Sequence, residues 1–318
     1  MNSNDIFNNN FDFSKYIMTH TIKNLTQGKS GASVCLLDNH KIAKYVVKSK
    51  LLKTENGNSV WDSCRREAAF YKAFCNEQKK ACNFLPQIFY CNFDDKNVQL
   101  IMGEYTTLEK NKLTNEDFSS IMKLLSQVHN ISIPEFLKEE KSSPLPLTDD
   151  ELKNSVSGWK SIFDEHKAEQ ADDLDFSRIE KIASDINRLN DIFYSERFCL
   201  CHGDFHVENI LFDKTTQNHV LCDWQSVKTG HPAEDIAFFM SRLQGDGIAF
   251  DENTLIDSYC NQTLNGITKD EIKTQMALAN INTTFRFWHY YLHGSSIDFI
   301  KTITGKMFAD YDKLMQRL

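Results

Sequence analysis

From Thr21 to Lys48 the chain runs in short β-branched stretches separated by turn residues. Gln27-Gly28-Lys29-Ser30-Gly31 leads into Ala32 to Leu37, and Asp38-Asn39-His40 precedes a second run, Ile42 to Val47. Runs of this kind bounded by turn chemistry predict a β-hairpin. Helical spacing follows over Arg65 to Phe74. Two further strands are expected at Gln87 to Phe93 and Val98 to Met102, parted by Asp94-Asp95-Lys96-Asn97. Strands around a single helix make a small α+β lobe.

After Tyr105 the apolar period changes from two to that of a helix. Thr114-Asn115-Glu116-Asp117 has the form of a capping box, and Phe118, Ile121, Leu125 and Val128 then share one face. Thr148-Asp149-Asp150-Glu151 repeats the start signal after Pro144-Leu145-Pro146. Ile179, Ile182, Ile186, Leu189 and Phe193 form another stripe. Thr268-Lys269-Asp270-Glu271 opens a final helical region that reaches Leu292 and stops at Gly294. The C-terminal two-thirds is therefore mainly helical, with one insert.

That insert carries the candidate chemistry. Two short apolar strands, Asn209 to Phe212 and His219 to Cys222, are joined by a polar turn. His202, Asp204, His206 and Glu208 crowd before the first strand, and Asp223 follows the second. In a hairpin the start of one strand lies beside the end of its partner, so Asn209 and Asp223 become neighbours, with Asp204 on the preceding loop. A carboxylate and an amide oxygen converging this way suit a hard cation such as Mg²⁺, which keeps phosphate oxygens and water as its other ligands. A second, unligated Asp can orient a hydroxyl and accept its proton. His202 and His206, alternating with Asp204, also admit a Zn²⁺ or Fe site. That reading leaves Asn209, Asp223 and the N-terminal strands without a part. Taken singly, Asp204 and Asp223 read equally well as turn caps.

Composition narrows the class. The chain has 318 residues, 41% of them hydrophobic, with 12 Gly and 5 Pro, which excludes a disordered or fibrous protein. No apolar run approaches the roughly 18 residues of a transmembrane helix. The Asn-rich first residues, with Asp5 and Asp12, lack the apolar core of a secretory signal. A net charge of −8 argues against broad binding to nucleic acid or an anionic membrane. Nine cysteines without a C-x-x-C pair read as reduced thiols, so a cytoplasmic location is expected. Cys199 and Cys201 alternate as core residues of a strand would.

His202-Gly203-Asp204-Phe205-His206-Val207-Glu208-Asn209-Ile210-Leu211, then Leu221-Cys222-Asp223-Trp224-Gln225, resembles the aminoglycoside phosphotransferase and choline kinase-like superfamily. Gly230 to Ala237 resembles the next segment of those kinases, where an Asp before Ile-Ala, here Asp235, is usual. The resemblance covers residues 198–240 and, more loosely, 21–105. It implies an α+β, protein-kinase-like two-lobed fold. A small β-rich N-lobe over residues 1–104 would bind nucleotide, and a larger, mainly helical C-lobe over 105–318 would carry catalysis and the substrate. The implied activity is ATP- and Mg²⁺-dependent phosphorylation of a small-molecule hydroxyl, on an aminoglycoside, an amino alcohol or a related metabolite. The expected partner is that substrate, with neither nucleic acid nor membrane.

The resemblance also assigns roles. Asp204 would be the catalytic base, and Asn209 and Asp223 would hold Mg²⁺. Lys48 would contact the ATP phosphates and pair with Glu67, with Lys44 the competing residue. The loop containing Ser30 and Gly31 would cover the phosphates with backbone N–H groups. Trp224, where Phe is commoner, would pack in the core. The acceptor would lie among C-lobe helices, to which the aromatic stretch Phe285 to Tyr291 belongs. The absence of an A-P-E segment disfavours an ordinary protein kinase. A divergent protein kinase and a non-catalytic nucleotide-binding module stand as alternatives.

Overall fold

The computed structural model describes residues 21–25, 33–39, 43–51, 58–77, 83–93, 97–140, 146–166, 175–263 and 266–318. The Asn-rich leader, the expected phosphate loop with Ser30 and Gly31, the side chain of Lys44 and the turn Asp94-Asp95-Lys96 lie outside them.

Strands β1 (Thr21–Asn24), β2 (Ser33–Asn39) and β3 (Ala43–Leu51) precede helix α1 (Asn58–Glu77). Strands β4 (Ile88–Phe93) and β5 (Asn97–Gly103) come after it. They form one antiparallel sheet in the order β1-β2-β3-β5-β4. β3 thus lies at the centre, with Lys48 opposite Leu100 of β5. Side chains alternate across the pleat. Val98, Leu100 and Met102 pack with Cys64, Ala68 and Tyr71 of α1, whereas Ile101 turns to the other face with Leu37, Val47 and Tyr90.

A short strand β6 (Thr106–Thr107) leads into α2 (Asn115–His129), α3 (Asp149–Glu165) and α4 (Phe176–Phe193). Both capping boxes form. Asp117 N–H donates to Thr114 Oγ1 at 3.2 Å while Thr114 N–H donates to Asp117 Oδ2 at 2.8 Å, and Thr148 and Glu151 repeat the exchange. Strands β7 (Cys199–Cys201), β8 (Ile210–Asp213), β9 (Asn218–Leu221) and β10 (Lys228–Gly230) make the insert. Helices α5 (Pro232–Gly245), α6 (Glu252–Cys260), α7 (Lys269–Phe287) and α8 (Ile297–Met315) complete the chain. Strands β8 and β9 pair as the expected hairpin.

Two large cores result. One joins α1 and the sheet to α2, the insert, α5 and α6 through Phe70, Ile121, Trp224 and Phe239, among others. The other packs α3, α4, α7 and α8 through Trp159, Ile186, Ile281 and Met307. The predicted stripes on α2 and α4 are buried, except that Phe193 is only partly covered.

Helix α8 corrects the expectation that helical structure stops at Gly294. Gly294 takes φ 71°, the left-handed turn that ends one helix without ending the helical region. Ser296 then caps α8, and Ile300, Met307 and Leu314 bury one face. The aromatic stretch divides: Phe285 is core, while Phe287, Tyr290 and Tyr291 are exposed. Among the described residues no helix is long and apolar enough to cross a membrane, and the cysteines are free.

The second core contains a polar lock between α4 and α7. Asn190 Nδ2 donates to Asn282 Oδ1 at 3.1 Å and Asn282 Nδ2 returns a bond to Asn190 Oδ1 at 2.7 Å, both side chains being buried. Asn190→Ala leaves the Asn282 amide without this partner, so stability should fall by about 1–3 kcal/mol. The urea unfolding midpoint measures it; an unchanged midpoint would mean that water replaces the amide.

Candidate active site

Residue Ile210 pairs with Leu221, and Cys222 N–H donates to Asn209 O at 3.0 Å, so the hairpin brings Asn209 and Asp223 to the same end. Asp223 adopts φ 64°, ψ 59°, a left-handed conformation that costs a non-glycine residue about 1–2 kcal/mol. Burial of the next residue offsets the strain. The turn swings Trp224 into the core, fully buried, where its ring stacks on Phe70 of α1 at 4.0 Å and its indole N–H donates to Leu221 O at 2.8 Å.

Lys48 reaches the same place from β3. Its Nζ lies 2.7 Å from Glu67 Oε2 and 2.6 Å from Asp223 Oδ1, in a site where Lys48 is 13% and Glu67 4% exposed. Burial alone would lower the lysine pKa, but the two carboxylates hold it above its ordinary value, so Lys48 is a cation. Burial pushes the Glu67 carboxyl up, against the pull of Lys48 and the Trp224 N–H. Glu67 is therefore a buried partner of the Lys48 cation.

Asp204 sits on the loop before β8, half-buried. Asn209 Nδ2 donates to Asp204 O at 2.9 Å and lies 3.3 Å from Asp204 Oδ2. Burial would raise Asp204, yet His206, His202 and Asn209 hold it below the ordinary carboxylate range, so it is ionised at neutral pH.

The loop is held from beneath by Asp235 of α5, which is 1% exposed. Its carboxylate accepts from His202 N–H at 2.7 Å and Gly203 N–H at 2.8 Å, and His129 Nε2 of α2 stands 3.1 Å away. Only glycine fits at Gly203: φ is 79°, and a Cβ would meet Ser226 O at 2.1 Å. His202 accepts from Asp204 N–H through Nδ1 and donates through Nε2 to Cys222 O at 2.9 Å. That fixes its tautomer, and burial keeps it neutral by lowering its pKa.

The alternative Zn²⁺ or Fe site is therefore not assembled. Both nitrogens of His202 are committed within the core, while His206 lies on the side of Asp204. A second soft-ligand group, His129 with Cys199 and Cys201, is also occupied. The thiols donate to Gly230 O and His231 O, and His129 bonds Asp235 and Tyr259. Asn209 and Asp223 do suit a hard cation. The Asn209 amide nitrogen is spent on its neighbours, and among the described residues no donor bonds its Oδ1.

Three contacts escape a reading of the sequence. His129 continues the apolar face Phe118-Ile121-Leu125, and a histidine on such a face is the available signal of a buried acidic partner. Asp235 stands out in its motif, but the motif does not say what the carboxylate binds. Arg66 of α1 donates to Val227 O at 3.1 Å and pairs with Glu140, tying the helix to the segment after Asp223; nothing in its spacing announces this.

Among the described residues, a five-stranded sheet with helix α1, joined to a helical lobe that carries the Asp204–Asn209–Asp223 hairpin, is a protein-kinase-like architecture. The phosphotransferase enzyme family's sequence profile matches residues 22–265, and the chain belongs to that family. None of the curated proteins matches it. Among solved structures it is similar to a Plasmodium vivax ethanolamine kinase, 17% identical with a TM-score of 0.58, covering 98% of this chain and 86% of that one. An aminoglycoside phosphotransferase from Alicyclobacillus acidocaldarius is 14% identical with a TM-score of 0.62, covering 96% and 94%. Aminoglycoside phosphotransferase APH(2'')-Ib with ADP bound is 18% identical with a TM-score of 0.57, covering 93% and 95%. At these identities the likeness is one of fold.

The Asp235–His129 pair makes stability depend on pH. Burial would lower His129, but Asp235 and Cys201 raise it from 6.5 to about 9. A raised imidazole stabilises the fold fully below pH 6.5 and loses that contribution as pH climbs through about 9. The melting temperature of the wild type should exceed that of His129→Gln most below pH 6.5, and the gap should close towards pH 9. A gap constant over that range would remove the imidazolium from this account.

Proposed function

We propose that the protein transfers the terminal phosphate of ATP to a hydroxyl group of a small molecule, with residues 1–104 forming the nucleotide lobe and 105–318 the catalytic and acceptor lobe. The observation that carries this reading is the Lys48 cation clamped between Glu67 and Asp223, beside the Asp204–Asn209 loop. Phosphoryl transfer asks a protein mainly for alignment and for positive charge on the transferring group. Lys48 supplies a fixed charge, oriented by Glu67, for the phosphates. Asn209 and Asp223 are the oxygen donors that would hold magnesium, whose chemistry is to neutralise phosphate charge. Asp204, ionised and anchored through the backbone of its own loop, would hold the acceptor hydroxyl in line and take its proton.

Membership of the phosphotransferase enzyme family supports the reaction class. The acceptor we favour is a hydroxyl-bearing amine, in keeping with the neighbours named as an ethanolamine kinase and as aminoglycoside phosphotransferases. Free thiols, most of those described being buried, are in keeping with a reducing cytoplasm.

ATP consumption should depend on an acceptor from a panel of aminoglycosides, choline, ethanolamine, homoserine and sugars, and should stop on chelation of Mg²⁺. Asp204→Ala should retain nucleotide affinity within about twofold while turnover falls roughly 10²–10⁴-fold, the contribution of a positioned base. Undiminished turnover in that variant, measured under saturating substrate, would remove Asp204 from the reaction.

A further inference from the structure

His206 touches no reacting group in the proposed reaction, yet its ring is nearly buried, 12% exposed, in the loop that carries Asp204 and Asn209. Nε2 lies 3.2 Å from Asn209 Nδ2 and 3.5 Å from Asp204 Oδ1. Nδ1 faces Glu208 Oε2 at 3.6 Å. Glu208 is itself fixed by Lys110 at 2.9 Å and Arg242 at 3.2 Å, and Lys110 also bonds Asp246 just past α5 at 2.7 Å.

The orientation of the Asn209 amide decides what His206 does. Its Nδ2 sits 2.9 Å from the carbonyl oxygen of Asp204, which can only accept, so the NH₂ end is the one turned inward. The second amide hydrogen then falls to Asp204 Oδ2 and His206 Nε2. An NH₂ group cannot accept, so the contact is a hydrogen bond only with Nε2 as acceptor and the ring proton on Nδ1, facing the Glu208 carboxylate. Each partner of the amide is an acceptor for N–H, and each would repel the amide oxygen.

We infer that His206 is a positioning residue for Asn209: backed by the Glu208–Lys110–Arg242 charge network, it accepts from the Asn209 amide and keeps Oδ1 turned outward as a cation ligand. This rests on the phosphotransfer reading, in which Asn209 is a magnesium ligand. His206 touches neither phosphate nor acceptor in this scheme. Its effect is on the affinity for the ion, through the rotation of one amide group.

The test separates metal affinity from nucleotide affinity. Titration calorimetry would measure ADP binding at a series of Mg²⁺ concentrations and without metal, for the wild type, His206→Leu and His206→Gln. Leucine keeps the bulk and loses the acceptor; glutamine reaches the same point and restores one. His206→Leu should require about five- to tenfold more Mg²⁺, the effect of one neutral hydrogen bond, with metal-free ADP binding and the melting temperature unchanged. His206→Gln should return the Mg²⁺ requirement to within about twofold of the wild type. Equal Mg²⁺ requirements in the wild type and His206→Leu would overturn the inference alone, as would a glutamine variant no better than leucine. A wild type that binds ADP with no dependence on Mg²⁺ would instead overturn the phosphotransfer reading, and the inference with it.

Discussion

One ammonium group holds together segments that the chain keeps far apart. Lys48 lies on the central strand of the sheet, Glu67 on α1 and Asp223 beyond the hairpin, 175 residues from the lysine. Taking these charges out of water costs several kcal/mol per ion, so the cluster is a poor source of stability in itself. Its consequence is geometric. For Glu67 to meet Lys48, α1 must lie against the sheet with a fixed rotation. That rotation sets Phe70 over Trp224 and brings Arg66 to Val227 O. The apolar contacts supply the burial energy, and the charges select which arrangement is buried.

Asp235 imposes a comparable constraint from the other side. A loop rich in polar side chains would ordinarily sample several conformations. Here two consecutive N–H groups, of His202 and Gly203, are bound by one buried carboxylate, and the imidazole of His202 crosses to Cys222 O. The loop and both strands of the hairpin are thus fastened to each other and to α5 before any substrate arrives. Such preorganisation is what alignment-driven catalysis requires, since a reacting group displaced by about 1 Å forfeits much of the gain. Asp204 and Asn209 take their positions from backbone and neighbour contacts rather than from long flexible side chains.

Most of this frame is legible in the residue pattern because it is local. Capping boxes at Thr114 and Thr148, period-two runs flanking polar turns, and the stripe from Ile179 to Phe193 all report on neighbours a few positions away. Hairpin logic is likewise sufficient to place Asn209 beside Asp223. The features that escape are long-range or conditional. The partners of Asp235 come from α2 and the loop after β7, and nothing in the spacing of His129 says which carboxylate it will meet. Helix α8 is hidden because Gly294 is both a stop signal for the helical run before it and a turn into a new cap at Ser296. Arg66 beside Arg65 looks like a solvated charge; its bond to Val227 O exists only once α1 has docked.

The measurement closest to the central claim is phosphorus NMR of the intact protein with Mg·ATP and a pool of hydroxyl-bearing amines. The account predicts a new phosphomonoester resonance that grows as the terminal phosphate of ATP declines, without matching inorganic phosphate. ATP left unchanged, or converted only to ADP and inorganic phosphate while Mg·ATP is demonstrably bound, would contradict it.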